Sequence, residues 1–380
     1  MKRFLAVFLM LAILLTSVSL TAMAADADGW KKADGGWQYI QGGKPVAEKW
    51  IQDGGYWYYI AYDTFMVADD FVLTFDKFDE MTGIYYMQEN GQMLASAWHE
   101  RKRVRVEDGV ESTYSQWIYA KADGKLAENE WQLIGGKWFF FDGISMLSDG
   151  FYEIDGKDYY FKSSGEMLVG WLQPWKGVDG IGDEWIYADK SGELASRWKL
   201  IDGKWYFFGN WDGWGLLYYD DVFGIWKDDK TIDIYAADKN GAMITNAWYD
   251  DKTQMEDGSV EHTWFYLTGN GLAAKGWLNQ NGKWFYMDPD WASMWTGWAT
   301  IKGINYHFDE TSGVMTVGWY KSNGDWYYFK DSGAMASNEW LQINGKWYFF
   351  DVDGRMLSGG TWTLSDKKEY TFDANGVWVK

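Results

Sequence analysis

The sequence has no cysteine, three prolines and three histidines in 380 residues. Without cysteine there are no disulfides, no thiolate metal sites and no thiol nucleophile. His99, His262 and His307 stand far apart, with no His-x-x-x-His spacing, and no Gly-x-Ser-x-Gly elbow occurs. Nothing here makes a catalytic constellation, so enzymatic function is not expected. Positive charge is also short: 35 Lys and Arg face 55 Asp and Glu, a formal net of −20. Such a surface repels nucleic acid and anionic lipid, which sets nucleic-acid binding aside. Beyond the N-terminus, no apolar run approaches the roughly 20 residues that span a bilayer, so no membrane-spanning segment is expected.

The N-terminus has its own logic. Lys2 and Arg3 precede an apolar run from Phe4 to Leu15, and small residues follow at Ala22 and Ala24. A basic start, a short apolar core and a small-residue site predict a secretory signal peptide over 1–24, with the mature chain, 25–380, exported. Removing it leaves 33 basic against 55 acidic side chains, a net of −22.

What the chain has in quantity is aromatic: 29 Trp, 26 Tyr and 21 Phe, with 44 Gly. They fall into repeats. "NEWLQINGKWYFFDVDGRML" at 338–357 returns as "NEWQLIGGKWFFFDGISML" at 129–147, as "SRWKLIDGKWYFFG" and as "KGWLNQNGKWFYM". Aligned on the turn, units of about 20 residues run from Trp30 to the C-terminus, leaving no room for a separate catalytic domain. Asn344-Gly345, Asn281-Gly282 and Asp202-Gly203 are pairs that tolerate positive φ at both centres of a two-residue hairpin turn. The flanks are aromatic and β-branched, as strands require. A lone hairpin is marginal in water, so hairpins with rings on both faces must stack. The expected fold is all-β: a solenoid of about 15 stacked hairpins, roughly three per superhelical turn.

That last figure comes from a longer rhythm. Pairs spaced Trp-x6-Trp stand at 50/57, 131/138, 198/205, 277/284 and 340/347. The following unit loses its second tryptophan to Ile84, Asp158, Ile234, Asn305 or Glu369, and a third unit restores the pair. The third pairs are the long-armed 98/117, 171/185 and 248/264 or the short 319/326, and Trp30/Trp37 fits the same slot.

Around Asn344-Gly345, a two-residue turn pairs Ile343 with Lys346, Gln342 with Trp347 and Trp340 with Phe349. Trp340 and Trp347 are then diagonal neighbours on one face, 7–8 Å apart at the backbone. The next hairpin's residue after its "W" position closes the cleft. For the seven short-spaced pairs it is Tyr58, Tyr85, Tyr159, Tyr235, Tyr306, Tyr348 and Tyr370; for the long-armed pairs it is Phe139, Tyr206 and Phe285. Three electron-rich faces suit a quaternary ammonium group, with apolar burial of its methyls. The same rings also bury area between hairpins, so each tryptophan has a structural share.

At these residues the chain resembles the choline-binding (cell-wall-binding) repeats of Gram-positive surface proteins. "GWYKSNGDWYYFKDSGAMASNEW" carries the pattern of G/E-W, turn, W-Y-Y/F-F and G-x-M across essentially all of the mature chain. The resemblance implies a hairpin solenoid that cages the choline of teichoic or lipoteichoic acid, with no cofactor. Carried onto this sequence, the cages are Trp30/Trp37 with Tyr58, Trp50/Trp57 with Tyr85, Trp131/Trp138 with Tyr159, and Trp198/Trp205 with Tyr235. Trp277/Trp284 with Tyr306, Trp319/Trp326 with Tyr348, and Trp340/Trp347 with Tyr370 complete the set. Met335 and Met356 are candidate supporting walls or core filler. The atypical long arms leave the sites at 98/117, 171/185 and 248/264 in doubt, and the five units lacking a second tryptophan are not expected to bind. Related glucan-binding repeats share the hairpins and stack sugars on their rings, so polysaccharide is the alternative ligand.

Three smaller features complete the reading. Asp69-Asp70 and Asp228-Asp229 read as solvated loop charges. "DKNGAM" and "DVDGRM" lack a calcium loop's ligand set and read as turns. The basic run "HERKRVRV" at 99–106 puts Arg101, Arg103 and Arg105 on one strand face, as a solvated arm or a contact for polymer phosphate. The expected protein is a non-catalytic, cell-wall-associated binder.

Overall fold

A computed structural model describes residues 27–107, 110–178, 184–211 and 214–379. The expected signal peptide, 1–24, lies outside the described residues. Those that are described contain strands and turns but no helix, so no helix long and apolar enough to cross a membrane is present among them. Among the described residues fifteen hairpins follow one another: 29–41, 49–60, 70–87, 97–120, 130–142, 150–161, 170–188, 197–211, 221–237, 247–267, 276–287, 297–308, 318–329, 339–350 and 360–372. The chain groups into two compact units, Met1–Asp155 with Tyr159–Leu168, and Gly156–Asp158 with Val169–Lys380. Within each, hairpins stack in chain order.

Turn chemistry sets the register. Asn344 and Gly345 have φ of 51° and 79°, the left-handed values of a two-residue turn whose twist matches its strands. The ladder runs Ile343↔Lys346, Gln342↔Trp347, Leu341↔Tyr348 and Trp340↔Phe349, as the turn requires. Because strand side chains alternate, Trp340 and Trp347 share the face looking to the next hairpin. Ile343, Leu341, Tyr348 and Phe350 look back onto the preceding one, clustering with Trp319, Tyr328 and Met356. A residue toward the end of the second strand forms the core in hairpin after hairpin, as with Phe141, Phe161, Phe208, Phe308, Phe329 and Phe350, all fully buried. Each such ring contributes about 1.5–3 kcal/mol by leaving water.

Connectors lock hairpin to hairpin. In "DVDGRM" the Asp351 carboxylate accepts the N–H groups of Asp353 and Arg355 at 2.9 and 2.8 Å. Asp238 does the same in "DKNGAM", so these are side-chain-capped turns. The connector methionine then donates its N–H to the carbonyl at the second-tryptophan position one hairpin back: Met66 to Trp37 and Met93 to Trp57 at 2.7 Å, and Met167 to Trp138 and Met356 to Trp326 at 2.8 Å. Gly333 shows why the connector reads Gly-x-Met. Its φ is +81°, and a Cβ there would lie 2.2 Å from the Met315 sulfur. Methionine packs on the next connector's glycine, and the two residue types specify one another.

Two expectations are refined. Asp69 is an exposed loop charge, as expected, but its carboxylate also accepts the hydroxyl of the buried Tyr86. Asp228 does behave as a turn residue, accepting the N–H groups of Lys230 and Thr231. The basic arm is only partly solvated. Lys102 and Arg103 bond along the arm, to Glu100 and Ser115 and to Gln116. Arg101 instead tucks back with its guanidinium 4.3 Å from the Phe71 ring centre.

Burial and the neighbouring Asp69 push the Tyr86 hydroxyl up to about 12; burial and the acidic Asp220 and Asp251 do the same for Tyr249. Folding therefore favours the neutral phenols. Their contribution is fully present below pH 10 and is lost as pH rises from 10 through 12. The thermal midpoint should fall across that window while tyrosinate absorbance lags the value for free tyrosine. A midpoint flat up to the upper end of the window would contradict this assignment.

Candidate functional site

The first tryptophan of each pair meets the next hairpin's aromatic ring edge to face. Centroids lie 4.9 Å apart for Trp30–Tyr58 and Trp131–Tyr159 and 5.0 Å for Trp50–Tyr85 and Trp277–Tyr306. The distances are 4.8 Å for Trp198–Tyr235, 4.9 Å for Trp319–Tyr348 and 5.1 Å for Trp340–Tyr370. At five of these seven interfaces the second tryptophan stands nearly perpendicular to the first. Trp50–Trp57 and Trp131–Trp138 are 6.4 Å apart, Trp198–Trp205 6.5 Å, Trp277–Trp284 6.3 Å and Trp319–Trp326 6.2 Å, at 83–88°. Three mutually crossed rings cannot pack flush. They leave an open corner lined by π faces.

The other two pairs, Trp30/Trp37 and Trp340/Trp347, keep the register but make no close indole–indole contact among the described residues. Trp37 holds the right register, with Trp30↔Tyr39 and Lys32↔Trp37 repeating the diagonal of the other hairpins. Its ring nevertheless stands 43% exposed, and no ring contact joins it to Trp30 or Tyr58 among the described residues. The Trp30 indole N–H is committed elsewhere, donating to Asp53 Oδ2 in the next hairpin's turn at 3.1 Å. Trp37 is as exposed as Trp138 and Trp284, which do cross their partners, so the Trp30/Trp37/Tyr58 set keeps the cage register while its close ring contact, among the described residues, is that of Trp30 with Tyr58. At Trp340 the second close indole is Trp378, 5.8 Å from Trp340 and 6.4 Å from Tyr370, rather than the exposed Trp347. Trp378 occupies the connector position where methionine stands elsewhere, and its N–H bonds the Trp347 carbonyl at 2.8 Å. Its larger ring narrows this corner.

The paired tryptophans differ in burial. First-position residues such as Trp50, Trp131 and Trp319 are half-buried, while Trp57, Trp138, Trp205, Trp284 and Trp326 are exposed. The first ring therefore serves both core and corner, and the second serves mainly the corner.

The long-armed pairs, doubtful from their spacing, form the same corner. Trp98 pairs with Tyr119 and Glu100 with Trp117, the diagonal seen at Trp50↔Tyr59 and Gln52↔Trp57. The extra arm length grows outward from the tryptophans, beyond the contact with the next hairpin. Trp98–Phe139, Trp171–Tyr206 and Trp248–Phe285 lie at 5.0, 5.1 and 4.9 Å, and Trp171–Trp185 cross at 6.3 Å and 86°. The legible signal is the local "W-x-Y" after the turn ("WIYA", "WFYL"), not the tryptophan spacing.

Further walls have no mark in the repeat pattern. The cavity at Trp50, Trp57 and Tyr85, about 270 Å³, is completed by Met93 and Asp123. That at Trp98, Trp117 and Phe139, about 330 Å³, adds Met146, Ser163 and Ser164. Thr311 and Ser312 join Trp248, Trp264, Phe285 and Met294 around about 300 Å³. A larger one, about 460 Å³, sets Trp171, Trp185 and Tyr206 with Leu217, Tyr219, Lys239 and Asn240. The connector methionine is thus a wall as well as a packing residue. The floor is a turn from two hairpins further on, which no local pattern marks.

Where the second tryptophan is missing, the corner is filled or left incomplete. Ile84 packs with Phe71, Ile118 and Leu126; Ile234 packs with Val222, Phe265 and Ala273. At these filled interfaces the methionine is replaced as well, by Leu126 and Ala273, whose N–H groups keep the bond to Ile84 and Ile234. The backbone connection persists without the cage.

The three histidines are held in packing and polar contacts. His99 stacks on Tyr86, His262 contacts Asp250, and His307 is buried between Thr316 and Glu310. No group of three or more metal-ligating side chains occurs among the described residues.

Comparison with known proteins agrees with the repeat pattern. Residues 295–340 and 340–380 match the family described as "Choline-binding repeat". Residues 48–63, 129–143, 149–167, 196–211 and 275–290 match "Putative cell wall binding repeat". A "Putative endo-beta-N-acetylglucosaminidase" of Streptococcus pneumoniae serotype 4 is 40% identical over 65 residues, which is 17% of this chain and 7% of that protein. Among solved structures, CbpJ from Streptococcus pneumoniae is 22% identical, covering 87% of this chain and 100% of its own, with a TM-score of 0.28. Choline binding protein F from the same species is 22% identical, covering 93% and 99%, with a TM-score of 0.27. The repeats at these positions belong to the choline-binding, or cell-wall-binding, repeat family.

Proposed function

We propose that this protein is exported and attaches, without catalysis, to choline-substituted teichoic or lipoteichoic acid on a Gram-positive surface. The observation that carries this reading is the recurrence of one corner with three aromatic walls at eight hairpin interfaces, the five crossed short-spaced pairs and the three long-armed ones. Such a corner offers a trimethylated nitrogen three π faces at roughly 0.5–2 kcal/mol each, and methionine and the rings bury its methyl groups. Against the cost of immobilising a small ligand, the sum is a millimolar site, about −4 kcal/mol. Several weak sites on one chain facing a repeating polymer bind it tightly by effective concentration. The acidic surface adds favourable attraction for a cationic ligand.

The test is retention on a choline or diethylaminoethyl matrix, elution by free choline, and a parallel dextran column. Choline-specific elution without dextran retention is expected. Dextran retention with indifference to choline would favour polysaccharide as the principal ligand, and hydrolysis of purified wall would overturn the non-catalytic assignment.

Asp123 offers a finer check. A carboxylate at the rim of a cation site in water contributes on the order of 0.5–1 kcal/mol. Asp123→Asn should weaken choline binding at the Trp50/Trp57 cage about two- to fivefold. The difference should shrink above about 0.1 M salt, where screening acts within about 10 Å. Following the Trp57 indole N–H by NMR during a choline titration reads this directly.

A further inference from the structure

Of the five hairpins without a second tryptophan, one keeps the rest of the set. In hairpin 297–308 the second tryptophan is Asn305, yet the first tryptophan, the tyrosine and the methionine are all retained as Trp298, Tyr327 and Met335. Trp298 meets Tyr327 edge to face at 4.9 Å, and the Met335 N–H bonds the Asn305 carbonyl at 2.9 Å. The two filled interfaces at Ile84 and Ile234 replace the first tryptophan, with Phe71 and Val222, and the methionine, with Leu126 and Ala273. Here only one wall is gone: Trp298 keeps Tyr327 and meets Tyr320 at 5.8 Å, and among the described residues no aliphatic side chain stands at the position of the lost indole, which Asn305 holds. Trp298 is consequently 45% exposed.

The surroundings have changed with it. The Thr300 hydroxyl donates to Asn305 Oδ1 at 2.7 Å, which orients the amide, and no described residue accepts from its NH₂. Arg355 ion-pairs with Asp325 and Asp353 at 3.3 and 3.4 Å, placing donors and acceptors on the hairpin that carries Tyr327. Behind Trp298, where other hairpins carry Tyr or Phe, stands His307. It is 1% exposed and held by Thr316 Oγ1 at 2.8 Å and Glu310 Oε1 at 3.1 Å, with its ring 5.1 Å from the indole. The indole is braced from behind and open in front.

We propose that this interface is a separate site for a neutral hexopyranose ring. With the second indole missing, the remaining rings leave one side of a compact cation in water. An open indole face attracts the weakly positive C–H face of a sugar, because the ring's quadrupole is negative there. The Asn305 amide and the Asp325–Arg355–Asp353 cluster supply hydroxyl partners of both polarities, as a polyol needs and an ammonium does not. One orienting aromatic surface with a few placed polar groups is the usual make-up of a small-ligand site. The site needs no choline elsewhere on the chain, so it stands or falls separately from the cages.

The experiment uses the mature chain, titrated calorimetrically with tetramers of N-acetylglucosamine and of glucose and, separately, with choline. Wild type is expected to bind at least one tetramer at about one site per chain, and Trp298→Ala to weaken it at least tenfold with choline stoichiometry unchanged. Asn305→Trp, an exposed substitution, should abolish sugar binding and add one choline site. Asn305→Ala should weaken the sugar severalfold without adding a choline site, and far-UV circular dichroism checks that each variant folds. Failure of both tetramers to bind wild type, or binding indifferent to Trp298→Ala, overturns the proposal. Wild type that binds sugar at Trp298 but no choline would overturn the cage reading alone.

Discussion

Trp326→Ala should abolish choline binding at its own cage, by tenfold or more, while leaving the fold nearly as stable. Trp319→Ala, on the same hairpin, should lose both. Trp326 is 40% exposed and crosses Trp319 at 6.2 Å and 88°, so it mainly supplies one face of the corner. Losing that face removes roughly 1–2 kcal/mol of cation–π attraction and opens the site to water. Trp319 also touches Tyr328 at 5.2 Å, Tyr348 at 4.9 Å and Phe350 at 5.8 Å, inside the cluster built on Ala336, Ile343 and Phe350. Truncating it leaves a void between two hairpins at a cost of about 3 kcal/mol. Column retention will hardly register either change, because the other cages maintain avidity. Choline titration followed through the remaining indole N–H signals reads the binding, and amide exchange across 318–350 reads the stability. Equal destabilisation by both variants would show that the second tryptophan is core.

The second large effect concerns a glycine outside the cages. Gly215→Ala should destabilise the hairpin at 197–211 and its short return strand, Trp214–Leu217, by more than about 3 kcal/mol. A Cβ at Gly215 would lie 1.9 Å from the Ala195 carbonyl oxygen, and a backbone atom cannot rotate away. Compare Gly333→Ala, where the clash at 2.2 Å is with the mobile end of Met315 and the further cost is a positive φ. There about 1–2 kcal/mol is expected, partly recovered in a Met315→Ala background. Stacked repeats need not unfold as one, so amide exchange resolved by hairpin is the proper measurement. Similar protection of 197–217 in wild type and Gly215→Ala would show that the backbone opens there at little cost.

Local chemistry makes much of this readable. Asn344-Gly345 specifies a two-residue turn, the turn dictates that Trp340 faces Phe349 across the ladder, and alternation then puts Trp340 and Trp347 on one face. Tyr348 faces backward by the same parity and becomes the wall of the preceding cage, at Trp319. Each step depends on neighbours within about 20 residues. The long arms mislead because the spacing between their tryptophans hides the register that holds at Trp98↔Tyr119. Trp30 carries a contact of another kind: its spacing and register are regular, but the Asp53 carboxylate that accepts its indole N–H comes from another hairpin.

The amino-acid order alone therefore determined the all-β repeat, the turns, the strand register and the shared face of each ring pair, since hydrogen bonding across a tight turn leaves them no freedom. Only the tertiary structure decided which pairs close and what a cage contains beyond its rings. Asp123, Lys239 and the serines at 163 and 164 reach their cavities from two hairpins onward, and Arg101 tucks onto Phe71 from the next hairpin. Those meetings depend on the rise and rotation from one hairpin to the next, which arise from packing between Gly-x-Met connectors and appear in no single repeat.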